Sequence, residues 1–223
     1  MNTSTTAMAT STSKYNAPEF WERLWRMSGI NFVVCVIIAA FVYGNQGDRT
    51  RILIAAVIAG MAILNLLWFV AALRTTLADA GRDGWGGAVI VSSAAVGVLF
   101  LLLIAVCAAL AYADTGSDNL SLASGMKDFA WAGFVLSSFP RAMLIMSGSF
   151  GLWRARLFSN RQFALGVAVL VLVLLGGTTW MSEGFWAPDG AYARLVSPAL
   201  GLLWVLAVSR VLLTRSPATR TGW

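Results

Sequence analysis

The chain has 223 residues, 58% of them hydrophobic and 12% charged, with a formal net charge of +6. Soluble domains carry about 25% charged residues, so most of this chain takes lipid as its solvent and a soluble globular domain is excluded. Histidine is absent, which removes His-based acid–base catalysis, His-ligated metal and ordinary haem ligation.

The basic excess does not point to nucleic acid. No basic cluster with interleaved aromatics lies outside the apolar runs, whereas excess Arg in a membrane protein marks cytoplasmic loops.

Residues 1–15 are rich in Ser, Thr and Ala, and Lys14 is their one basic residue. They lack the apolar core of a cleaved signal and read as a disordered cytoplasmic tail. Residues 16–26 differ. Pro18 suits a first helical turn capped by Asn16 or Ala17. Phe20, Trp21, Leu24 and Trp25 share one face. Glu19, Glu22, Arg23 and Arg26 share the other, with Glu19–Arg23 and Glu22–Arg26 as i,i+4 pairs in the favourable order. This pattern predicts an amphipathic helix in the interface plane, with both Trp at headgroup depth. A protein docking face is the alternative.

Six apolar segments follow, at residues 27–43, 52–73, 86–112, 129–153, 162–180 and 195–213. Each is long enough to span a bilayer or nearly so, and the first is expected to continue out of the turn at Trp25. The expected fold is an all-α bundle of six transmembrane helices over 27–214, preceded by the interfacial helix and followed by a short cytoplasmic tail at 215–223.

Loop charge sets the expected orientation. With the N-terminus inside, 11 of the 16 Lys and Arg lie on the cytoplasmic side. Arg49, Arg51, Lys127 and Arg194 lie outside, with six of the ten acids: Asp48, Asp114, Asp118, Asp128, Glu183 and Asp189. Both termini are then cytoplasmic and the protein is multi-pass in the cell membrane. Small residues recur four apart at Ala55/Ala59, Ala56/Gly60, Ser93/Gly97, Ala105/Ala109, Gly133/Ser137 and Ser147/Gly151. Such pairs let helices approach closely, within one bundle or in a homo-oligomer.

The sharpest chemical signal is Arg141 beside Pro140, in the fourth segment. It stands about 12 residues from Phe129, roughly 18 Å deep at 1.5 Å per residue, near the centre of a ~30 Å core. Arginine stays charged there. Its insertion costs ~2.5–3.5 kcal/mol, and the large apolar residues of the segment return about 4 kcal/mol together. The span is marginal alone and needs neighbours around it. Depth counting puts Asn65, Ser92 and Ser93 near the same level, and Ser137 and Ser138 lie one turn away. Pro140 leaves the Leu136 carbonyl without its helical donor. No Asp or Glu falls at that depth, so carbonyls, amides, water or a bound anion must meet the charge.

An intramembrane charge points to function. Here that is a site for an amphiphile with an anionic or carbonyl head. The competing reading is structural, with Arg141 capping the proline break or snorkelling.

Residues 180–192 are the second candidate, with Trp180, Phe185, Trp186 and Tyr192 around Glu183 and Asp189. They read as an outer aromatic belt with a Pro188–Asp189–Gly190 turn. They also suit a lid over an outward cavity, where Trp180 and Trp186 would contact ligand. An acid among aromatic rings could donate a proton, and aromatic faces stabilise cations. Glu183 and Asp189 would then be catalytic in a terpenoid cyclase or isomerase. Cys35 and Cys107 differ by roughly 20 Å in depth, too far for a disulfide. No metal-ligand cluster, phosphate loop or nucleophile pair is present, and no cofactor is expected.

Asp48–Arg49–Thr50–Arg51 opens the second helix and Leu67–Trp68–Phe69 closes its apolar run. Ala187–Pro188–Asp189–Gly190 precedes the sixth, which contains Leu203–Trp204–Val205–Leu206. In this order of features the chain, after about residue 20, resembles a broad family of uncharacterised six-helix membrane proteins of actinobacteria. The resemblance implies the fold and carries no activity. The sequence thus leans away from an enzyme. It favours a membrane protein that binds a lipid-like ligand at Arg141, or a subunit of a membrane assembly. An enzyme using an outer-face acid and a small transporter are the alternatives.

Overall fold

The computed structural model describes residues 17–44, 49–113 and 120–214, with 17–26, 113 and 120–122 described by backbone alone. The tails at 1–15 and 215–223 lie outside these residues, as do Asn16, Asp48, Asp114 and Asp118. Among the described residues seven α-helices form: α1 Ala17–Gly44, α2 Arg49–Asp79, α3 Asp83–Ala113, α4 Leu120–Leu136, α5 Ser138–Arg154, α6 Asn160–Leu175 and α7 Ser197–Thr214. Six stretches are long and apolar enough to cross a membrane, α4 and α5 together making one. The all-α six-span bundle is therefore as expected.

Residues 17–26 are helical and run without a break into the first span, giving the one continuous 28-residue helix expected from Trp25 onward. The side chains of the expected amphipathic face lie outside the description. Other boundaries differ from the sequence reading, and α2 runs past Leu73 to Asp79.

The fourth span begins at Leu120, nine residues before Phe129, and is broken at Ser137. Pro140 follows the break by three residues and has no N–H for Leu136. The chain still carries helical bonds through the break, from Ser137 N to Gly133 O at 2.9 Å and from Arg141 N to Ser137 O at 3.2 Å.

The fifth span ends early. After Leu175 the chain tightens into a 3₁₀ turn, Gly176–Thr178, and the sixth opens with a π turn, Tyr192–Val196.

The helices close a ring. α1 packs on α2, α2 on α3, α3 on α4 and α5, α5 on α6, α6 on α7, and α7 back on α1. Gly81, at φ +71°, ends α2 and lets Arg82 N reach Leu77 O at 2.8 Å, which makes the α2–α3 link tight. A capping box between Ser159 and Gln162 starts α6.

The core lies where α2, α5 and α7 meet. Phe69, Leu73 and Leu77 of α2, Leu152 of α5 and Val208 of α7 are fully enclosed. Trp204 of α7 meets Phe69 edge-on at 6.4 Å and donates from Nε1 to Ser149 Oγ of α5 at 2.9 Å.

Glycine makes that crossing possible. A Cβ on Gly148 would stand 2.7 Å from the Trp204 ring, and one on Gly151 would stand 3.0 Å from Leu77. Several small-residue positions read from the sequence thus serve packing inside the bundle: Gly97 faces Ile63, Gly133 faces Leu103 and Gly151 faces Leu77. Gly60 meets nothing.

Candidate functional site

The break at Ser137 positions the site. Arg141 stands one turn past it, and its side chain folds back across the gap. Nε donates to Ser137 O at 3.2 Å. Nη2 donates to Phe134 O at 3.4 Å and to Ser138 Oγ at 2.9 Å. The guanidinium carbon stands 5.2 Å from the centroid of the Phe134 ring. Among the described residues no carboxylate pairs with Arg141, and none supplies a hydrogen-bond partner to the N–H groups of its Nη1. Three of its five donors are used, and all go to the break itself.

A void lies beside it. A cavity of about 340 Å³ opens between α1, α2, α3, α5 and α7 and is lined by Arg141. Its wall is otherwise almost wholly apolar: Phe32 and Val36 on α1, Ile63 and Leu66 on α2, Phe100 on α3, Trp204 on α7. The second cation on the wall is Arg194, from the π turn. It is exposed, and its guanidinium lies 4.9 Å from the Trp131 ring of α4. Among the described residues no acid lines the cavity. The volume is at the lower end of the ~300–1,000 Å³ typical of small-molecule sites.

The other expected contacts are placed differently. Ser138 touches Arg141, and Ser137 gives its hydroxyl to Phe134 O. Asn65 donates to Met61 O of its own helix at 2.9 Å, beside the cavity face formed by Ala59, Ala62, Ile63 and Leu66. Ser92 bonds Ala88 O at 2.7 Å, one turn beyond the last cavity residue of α3, and Ser93 bonds Ile90 O at 2.8 Å. The polar layer expected of Asn65, Ser92 and Ser93 around Arg141 does not form, because each satisfies itself on its own backbone.

The segment 180–192 is folded onto the end of α6. Trp180 Nε1 donates to Gly177 O, Trp186 Nε1 to Thr178 O and Tyr192 Oη to Leu172 O. Trp186 packs against Tyr192 with ring centroids 4.5 Å apart and planes tilted by 38°. Neither Trp180 nor Trp186 lines the cavity. Glu183 and Asp189 are exposed and also stand outside it, so they do not supply the enclosed acid that a cyclase would need. Cys35 and Cys107 are free thiols. Among the described residues no three of His, Cys, Asp or Glu cluster for a metal.

Arg194, Trp131, Phe134 and Trp204 belong to the site and were not singled out as site residues from the sequence. The one available signal was the i, i+3 spacing of Trp131 and Phe134, which puts both on one face two to three turns before Arg141.

No family model matches the chain, and neither a curated protein nor a solved structure does. The resemblance to actinobacterial six-helix proteins therefore rests on the residues that carry it.

Proposed function

We propose that this polytopic membrane protein is a binding protein for a lipid-like or small amphiphilic ligand, with Arg141 holding the polar head and the apolar wall holding the tail. The observation that carries this reading is Arg141 itself. A permanently charged group has two donors without a partner among the described residues, on the wall of an apolar cavity with no lining acid. A guanidinium retained only to mend the proline break needs no cavity beside it. A charge only partly met away from water is costly, and an anionic head offsets that cost. The exposed positions of Glu183 and Asp189 favour a binder over an enzyme. The charge distribution between the loops supports a cell-membrane protein with both termini in the cytoplasm.

Native mass spectrometry of the protein extracted in a mild neutral detergent tests this. Wild type should carry an amphiphile adduct, and Arg141→Ala should lose it while remaining folded. An identical adduct pattern in both would remove the role given to Arg141.

A further inference from the structure

We infer that the cavity takes a single-chain amphiphile whose head is an oxyanion, a carboxylate or phosphate monoester, bridged between Arg141 and Arg194. This rests on the ligand reading above and narrows it. The two cations reach one cavity from different spans and from different depths. Arg194 stands two residues inside the stretch Tyr192–Thr214, and Arg141 stands 13 residues before Arg154. Counted from the same side at 1.5 Å per residue, Arg141 is roughly 20 Å from Arg154, and Arg194, 20 residues before Thr214, is roughly 30 Å from that end. Arg194 is therefore roughly 10 Å nearer the outer face. Both side chains line the same cavity, so a head lying between them takes Nη1 of Arg141 below and Arg194 above.

Aromatic side chains hold both cations in place. Trp131 and Phe134 are one turn apart on α4 and meet edge-to-face at 6.0 Å. Arg194 rests on the first ring at 4.9 Å and Arg141 on the second at 5.2 Å. The π turn packs one extra residue into the start of the last span, a feature that recurs at functional sites. It carries Arg194 at the exposed rim. With two positive groups and no lining acid among the described residues, the site repels cations and gives a neutral head no special advantage. A cavity of about 340 Å³ offers room for one chain and not two.

The test is a titration of tritiated laurate against purified protein in a neutral maltoside detergent. Dodecyl phosphate, dodecanol, dioleoyl phosphatidylglycerol and inorganic phosphate serve as competitors. Laurate and dodecyl phosphate should compete at similar concentrations, and dodecanol should bind at least tenfold more weakly. Arg194→Gln should weaken laurate about tenfold and leave dodecanol unchanged, and Arg194→Lys should restore most of the loss. Gly201→Phe is the blocking variant. Gly201 lines the cavity and a Cβ there meets nothing within 4 Å, so a side chain can start there, and the ring should occupy the cavity and abolish laurate binding.

If Arg194→Gln binds laurate like wild type, or weakens dodecanol equally, the two-cation head is wrong while the ligand reading stands. Displacement by phosphatidylglycerol at the same concentration as laurate overturns the single chain. Displacement by inorganic phosphate as well as by dodecyl phosphate overturns the amphiphile in favour of a free anion. Absence of saturable laurate binding in wild type, indistinguishable from Gly201→Phe, overturns the parent reading as well.

Discussion

Trp131 and Phe134 meet edge-to-face at 6.0 Å, with their planes at 90°, and each presents a face to an arginine. This pair links the two irregular points of the bundle, the break at Ser137 and the π turn at Tyr192–Val196. A cation–π contact is worth about 0.5–2 kcal/mol depending on desolvation. Removing the Trp131 ring frees Arg194 without touching Arg141. Arg194 is exposed, so the lower half of that range applies: Trp131→Ala should weaken laurate binding by about 2–5-fold, since 1.4 kcal/mol is tenfold, and Trp131→Phe should recover part of it. Equilibrium binding in detergent reads both variants.

The hydrogen bond from Trp204 to Ser149 ties α7 to α5 behind the cavity. Both residues are buried. Ser149→Ala leaves the indole N–H with no acceptor. Interhelical hydrogen bonds in membranes average about 0.6 kcal/mol and reach about 1.7. The melting temperature in detergent should fall by a few degrees. An unchanged value would mean that the indole finds another acceptor.

Two glycines predict opposite signs. A Cβ at Gly148 would press on the Trp204 ring at 2.7 Å, whereas one at Gly60 meets nothing within 4 Å. Gly148→Ala should destabilise by about 1–3 kcal/mol through overpacking. Gly60→Ala should stabilise by roughly 0.5–1 kcal/mol, because alanine loses less backbone entropy in a helix. Thermal denaturation followed by tryptophan fluorescence compares them directly.

The spans were legible because apolar runs of about 20 residues have one solution in lipid. Arg141 was legible for a related reason, since a charge at that depth stands out against its neighbours. Its surroundings were less so. Counting residues gives depth along a helix and says nothing of which way a side chain points around it. Asn65, Ser92 and Ser93 share Arg141's level and still bond their own helices. Arg194 reads as a loop charge in sequence, because the π turn that carries it at the cavity rim leaves no periodic mark. Phe134 and Trp204 look like ordinary apolar residues until their partners are known. The break came out at Ser137, close to where Pro140 removes a donor, but the helix before it started nine residues early. Lys127 and Asp128 extend α4 instead of forming a loop.

The proposed orientation gives a further expectation. With Cys35 and Cys107 replaced by Ser, Ser182→Cys should react with a membrane-impermeant maleimide in intact cells. Ala80→Cys, in the α2–α3 turn, should react only after lysis. Both positions are exposed, so the reverse pattern would invert the topology.

The account stands on what fills the space beside Arg141. An experimental density map of the wild-type protein, purified in neutral detergent with laurate present, reads this directly. Density for the head should bridge Nη1 of Arg141 and Arg194, with elongated density for the tail along Gly201 and Phe32. An empty cavity, or Nη1 resting on a carboxylate of the chain itself, would contradict the account.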